Sequence, residues 1–499
     1  MGSSLLRDLF KKKGWDIQRE GSEIKLERVL GPFDLIALGV GAIFGAGIFA
    51  TLGIAAAGDP LRPGAGPSLI VSFIISAIIC GFTALCYAEF ASAIPASGSA
   101  YAYSYAALGE IIAWIIGWNL IIEYAMGNVA VAISWSSYFR IFLSGFGIHI
   151  PDWLSIDTMT ALTDPRLVES APQLFGVPVA FNLLAGAIVA VVSVILVIGI
   201  KESAKANALM VIFKVAVIGL FTLLGIYYIR PENWTPFAPN GLAGIQAGAA
   251  TIFFAYMGFD TISTVAEETK NPRRDLPIGM MGSLGICTVI YVLIALVFTG
   301  IVPYSGLLEG FQSHQAEPLT LALKYANAGR WGDIAAGIIA LGALVAQTTA
   351  LLAFQLGMPR ILLSMSRDGL LPEIFTRVHP RYHTPHISTI ITGIAVGLAA
   401  MIMPIQEMID LTNIGTLSIF VVVSLGIIVM RRTEPDMPRS FKTPFVPWVP
   451  AAGILGCLYL MAGISGITWL RFVGWLVLGL IVYFAYGYRK SVMRGSIDR

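Results

Sequence analysis

Apolar runs recur along the whole chain. A bilayer core of about 30 Å takes about 20 apolar residues of helix. Runs of that order fall at 33–57, 68–91, 108–143, 179–200, 204–229, 245–267, 279–301, 332–362, 386–403, 406–431, 448–465 and 470–488. The pattern predicts an all-α integral membrane protein with about twelve transmembrane helices. Pro and Gly clusters mark the turns, as in Gly58-Asp59-Pro60 and between Pro444 and Pro450. The intervening stretches 144–178 and 302–331 are too short and irregular for a soluble domain, so the expectation is one membrane domain.

Composition agrees with the pattern. Of 499 residues, 56% are hydrophobic and 12% charged, with a mean hydropathy of +0.78. A soluble chain carries about twice that charged fraction. A formal net charge of +2 supplies no basic field for nucleic acid. The four cysteines, Cys80, Cys86, Cys287 and Cys457, lie in apolar runs without ligand spacing, and read as small core residues. No nucleophile–base set or metal cluster is legible, so neither an enzyme nor a cofactor is expected. No cleavable leader pattern precedes the first run, which is expected to be an uncleaved anchor. Most of the 32 lysines and arginines fall on segments facing one side when the N-terminus is placed inside. Both termini are therefore expected in the cytoplasm, with the protein in the cell membrane.

Four features carry chemistry. The first run holds Gly39, Gly41, Gly45 and Gly47. Glycines weaken a helix and let backbone approach a ligand, and unwound backbone in lipid survives where it lines a cavity or is buried in protein. The same spacing also serves close helix packing, and on spacing alone both readings stand. Gly45-x-Gly47-x-x-Ala50 matches a dinucleotide fingerprint, but no strand precedes it, so that reading is rejected. The sixth run offers a second break at Gly258, among Phe253, Phe254, Ala255, Tyr256, Met257, Phe259 and Asp260. Interrupted helices in matching positions of two repeats point to a midplane site. Lys214 lies about 15 Å into the fifth run, where a charge must be paired, neutral or hydrated. It reads either as a proton carrier or as a structural cation. Glu123, equally deep in the third run, is open to three roles: pairing with Lys214, reading a cationic substrate, or relaying protons.

Taken together, the stretches Gly41–Phe49, Cys86–Glu110, Gly117–Tyr124, Phe253–Gly279, Ser366–Pro372 and Leu411–Thr416 resemble the amino acid–polyamine–organocation superfamily. Within it they resemble bacterial relatives of cationic amino acid transporters. The resemblance runs from about Gly31 to Tyr488. It implies a leucine-transporter-type fold with two inverted five-helix repeats and two further helices. The boundaries are a tail at 1–32, repeats at 33–231 and 245–431, the added pair at 446–488 and a tail at 489–499. By the same resemblance, amides of Gly45, Ala46 and Gly47 meet a substrate carboxylate. Carbonyls near Ile43 and at Phe254, Ala255 and Met257 meet its ammonium, and Phe254 caps the substrate. Lys214 matches the lysine that fills a sodium position in proton-coupled members, and Glu123 an acid in close relatives. Gln355 is a candidate side-chain selector. Ala46 departs from the Thr or Ser often found there.

The expectation is a secondary transporter of α-amino acids, cationic or small neutral, working by alternating access with proton symport. The alternatives are an uncoupled exchanger and an amino-acid receptor that does not transport. The expected partners are the amino acid, protons and membrane lipids. A small membrane-protein subunit is left open, and nucleic acid is not expected.

Overall fold

Lipid offers no hydrogen bonds, so a spanning segment must satisfy its backbone internally. The computed structural model meets that demand with helices. It describes residues 9–13, 28–45, 47–60, 62–94, 99–163, 171–174, 177–199, 204–312, 317–327 and 329–495. Ala46, expected at the substrate carboxylate, lies outside the described residues.

The main helices are α1 (Pro32–Ile43), α2 (Gly47–Ala57), α3 (Leu69–Ala93), α4 (Ser99–Ala107), α5 (Glu110–Ser144), α6 (Leu183–Ile198) and α7 (Ala204–Ile226). They continue as α8 (Gly241–Ile252), α9 (Pro272–Ile301), α10 (Gly329–Arg367), α11 (His386–Ile402), α12 (Ile405–Thr433), α13 (Trp448–Ala462) and α14 (Gly466–Val482). Among the described residues, eight segments are long and apolar enough to cross a bilayer, and the pair α1–α2, bent by 52°, makes a ninth. The shorter apolar helices α6, α11 and α13 have 16, 17 and 15 residues.

The sixth run is interrupted about Gly258, where the sequence offers a break: α8 stops at Ile252, and tighter 3-10 segments follow at Phe253–Tyr256 and Phe259–Glu268. One difference from the sequence reading matters. The stretch after α9, read as irregular, holds short helices at Tyr304–Gln312 and Pro318–Ala326.

Helix pairing divides the molecule. α9 lies along α1 and α3, and α8 packs on α3 and α2. α5 carries α10 and α12, while α6 pairs with α11. The two ends are tied differently. At one end residues near both termini meet the start of α5 and the end of α10. The Glu110 N–H donates to Lys11 O at 3.1 Å, Lys13 pairs with Asp368 at 2.8 Å, and Arg494 pairs with the buried Glu110 at 2.9 Å. At the other end a two-residue hairpin, β1 (Gly58–Asp59) and β2 (Arg62–Pro63), holds Arg62 between Asp59 at 2.8 Å and Asp410 of α12 at 2.9 Å. The four cysteines are buried and unpaired.

Candidate substrate site at two interlocked helix breaks

The first break begins at Phe44. Its backbone (φ −80°, ψ 56°) is that of an inverse γ-turn, and the Gly45 N–H donates to Ile43 O at 2.8 Å. α2 then starts at Gly47. The first amides of a helix have no partner inside it, and they carry the positive end of its dipole. That end suits a carboxylate. Of the described amides expected there, Gly45's is already used by the turn, which among the described residues leaves Gly47, at the start of α2, as the donor.

The second break follows the 3-10 turn Phe253–Tyr256. Met257 is extended (φ −62°, ψ 144°), and Gly258 has φ +111°, a conformation that favours glycine. Phe254, Ala255 and Met257 are buried. The breaks lock into each other. A Cβ on Gly47 would lie 2.3 Å from the Ala255 Cα, and one on Gly258 would lie 2.9 Å from the Ala42 carbonyl carbon. Each glycine exists where the other broken helix needs its space.

Neighbouring helices hold this junction. The Tyr291 hydroxyl on α9 reaches Ile43 O at 3.0 Å and Ala255 O at 2.9 Å. Asn413 on α12 donates to Ala250 O at 2.8 Å and to Thr251 O at 3.3 Å, the closing carbonyls of α8. Lys214 is buried and its ammonium donates to the Thr349 hydroxyl of α10. Thr349 adjoins Ala350, whose Cβ would be 3.2 Å from a Cβ on Gly45, so the lysine stands beside the first break.

The expected residues do not all converge. Glu123 is buried on α5 near Thr416 and the carboxyl of Asp260, and no ion pair joins it to Lys214 among the described residues. The pairing of Glu123 with Lys214, one of the three roles held open, is therefore not made. Gln355 faces the other way: it accepts from Asn128 and donates to Ser193 at 3.1 Å and Thr392 at 3.5 Å. Both ends of its amide are taken up within α5, α6 and α11. Tyr291, Asn413, Thr349 and Asp260 were given no role from sequence. A polar side chain in an apolar run was the signal available for Tyr291, and many such residues are ordinary core.

Residues 30–485 match the family model described as amino acid permease. The chain is similar to a methylthioribose transporter of Bacillus subtilis, 43% identical over 98% of this chain and 100% of that one. It is equally similar to the branched-chain amino acid permease BcaP of the same organism, 43% identical over 97% of this chain and 98% of that one. The vacuolar cationic amino acid transporter 4 of Arabidopsis thaliana is 35% identical over 83% of this chain and 64% of its own length.

Proposed function

Because the chain belongs to the amino acid permease family, a family of multi-pass membrane transporters rather than enzymes, we propose that it takes up α-amino acids by alternating access, coupled to protons. The pair of interlocked breaks carries this reading. Free amides at the start of α2 suit a carboxylate, and the carbonyls of Ile43 and Ala255, with those of Phe254 and Met257, suit an ammonium a few ångströms away. Such a clamp reads the groups common to all α-amino acids and leaves the side chain to other contacts. Glu123, buried and without a cationic partner among the described residues, is the group suited to a cationic or hydrogen-bonding side chain.

Proton coupling is supported by Lys214. Its ammonium is held by a hydroxyl, and no carboxylate pairs with it among the described residues. Coupling then follows if the inward and outward states differ in affinity for the protonated lysine. The 5+5 inverted arrangement is supported by the pairing of equivalent helices: α3 with α9, α5 with α10, and α6 with α11. Twelve crossings with both termini in the cytoplasm agree with the meeting of Lys11 and Met493 at one end.

The test is uptake of labelled L-alanine, L-leucine, L-arginine and L-lysine into proteoliposomes, with and without an inward proton gradient. Uptake of at least one, accelerated by the gradient, is expected. Counterflow that ignores the gradient would replace symport by exchange. A second reading rests on the 43% identity to a methylthioribose transporter. That sugar has neither ammonium nor carboxylate, so competition by methylthioribose but by no amino acid would establish it.

A further inference from the structure

α7 has little protein around it. Only 28% of its span Leu209–Ile226 is buried. Towards its end Leu223, Ile226 and Tyr227, three and four positions apart and so on one face, are 66%, 52% and 87% exposed. An apolar face of this kind is a surface for acyl chains. Just past the helix the chain folds back on the end of α9. The Arg230 N–H donates to Gly300 O at 2.9 Å, and the Asn233 amide donates to Gly300 O at 2.8 Å and Ile301 O at 3.1 Å. Asn240, shortly after, donates to Gly64 O at 2.8 Å, which places this corner at the end of the molecule that carries the β1–β2 hairpin.

The fold-back leaves a cleft of about 210 Å³ lined by Tyr227, Tyr228, Arg230, Ile301 and Tyr325, between the ends of α7 and α9 and the short helix Pro318–Ala326. Enclosing small-molecule pockets measure roughly 300–1,000 Å³, so the cleft has room for a headgroup rather than a whole ligand. Arg230 is the one charged residue in its lining. Among the described residues no carboxylate pairs with Arg230, and the hydroxyls of Tyr227, Tyr228 and Tyr325 make no hydrogen bond. Glu232, two residues on, lies outside the lining, and Asn233 already occupies the carbonyls that close α9. The free chemistry of the cleft is therefore a guanidinium with phenol hydroxyls around it. A guanidinium offers forked donors that match two oxygens of a phosphate, and each phenol can donate one more bond. A belt of interfacial aromatics explains tyrosines at the level where a span ends. It does not explain an arginine without a counter-ion in a cleft between helices, directly above an uncovered apolar face.

The geometry points to a site for one anionic glycerophospholipid, its phosphate on Arg230 and the tyrosines and its acyl chains along the exposed face of α7. The bound headgroup ties the end of α7, the helix that carries Lys214, to the helix Pro318–Ala326. The site does not depend on which solute the protein carries.

Native mass spectrometry of the purified, delipidated full-length protein tests this, with phosphatidylglycerol, phosphatidylethanolamine and phosphatidylcholine of identical chains as probes. One phosphatidylglycerol is expected to bind about tenfold more tightly than either zwitterionic lipid, and to raise the melting temperature. Arg230→Gln should weaken that binding about tenfold, the loss that goes with one charge-assisted contact. Tyr325→Phe, on the opposite wall, should weaken it about threefold. Both side chains are exposed, so each variant should melt with the wild-type protein when no lipid is added. Equal affinity for the three lipids overturns the anionic site, as does unchanged binding in Arg230→Gln. Loss in Arg230→Gln with none in Tyr325→Phe places the lipid on an open surface arginine and overturns the cleft. Glycerol 1-phosphate binding as tightly as the lipid shows a site for free phosphate esters and overturns the role of the acyl chains.

Discussion

Gly47 and Ala255 touch backbone to backbone, with only 2.3 Å between the Ala255 Cα and the place a Gly47 Cβ would occupy. No side-chain rotation can relieve that approach, because both partners are main chain. Gly47→Ala is therefore expected to force the two breaks apart. Overpacking costs about 1–3 kcal/mol, and here it falls on substrate binding, about tenfold or more in KM by proteoliposome uptake. Gly45→Ala meets the Ala350 methyl at 3.2 Å and the Ala42 carbonyl oxygen at an ordinary 3.5 Å, and should cost less. Equal loss in the two variants would count against the interlock.

Lys214 donates to the Thr349 hydroxyl beside the first break. Lys214→Ala is expected to abolish the response of uptake to an inward proton gradient. Thr349→Val leaves the cation without that acceptor, and a lost bond to a charged group costs about 1.5–3 kcal/mol, read as a lower melting temperature in detergent. Gradient-driven acceleration persisting in Lys214→Ala would end the proton role.

Glu317 immediately precedes the short helix Pro318–Ala326. Burial pushes its carboxyl up from 4.5 to about 8, against the opposing pull of Ser137 and Arg140. An acid with a raised folded pKa holds its proton in the fold after the unfolded chain has lost it. Stability should then fall as pH rises from 4.5 through about 8, and level off above. Thermal melts across that window should show the slope in the wild-type protein and a shallower one in Glu317→Gln. An identical slope in both would assign it to other groups.

Glu110 has no exposed surface and accepts from Tyr105 at 2.9 Å, Tyr483 at 2.8 Å and Arg494 at 2.9 Å, and also from Ser491. Arg494 also lies 3.6 Å over the Tyr488 ring. Removing one partner of a buried pair costs more than removing both. Arg494→Ala should therefore lower the melting temperature, and adding Glu110→Gln should restore part of it. Strict additivity in the double variant would show that the pair is not coupled.

Much of this was legible in the chain itself. Twelve apolar runs could be counted, and helix was their only open solution, because lipid leaves the backbone no other partner. The glycines announced a weak point in the first run without saying what it was for. Gly39 packs against Ser283 and Ile262, and Gly41 against Val211, while Gly47 meets Ala255. One motif holds packing glycines and a junction glycine, and its spacing cannot separate them. Lys214 could be seen to need company, but not that Thr349, 135 positions away, supplies it. Gln355 looked available and is occupied; Tyr291 looked ordinary and joins both breaks. Sequence determines what each segment must bury, since that is a local balance of apolar area and backbone satisfaction. Which buried polar group faces which depends on how helices far apart in the chain rotate against one another. Only tertiary packing decides that, and it is what turns the glycine-weakened first helix into half of a site.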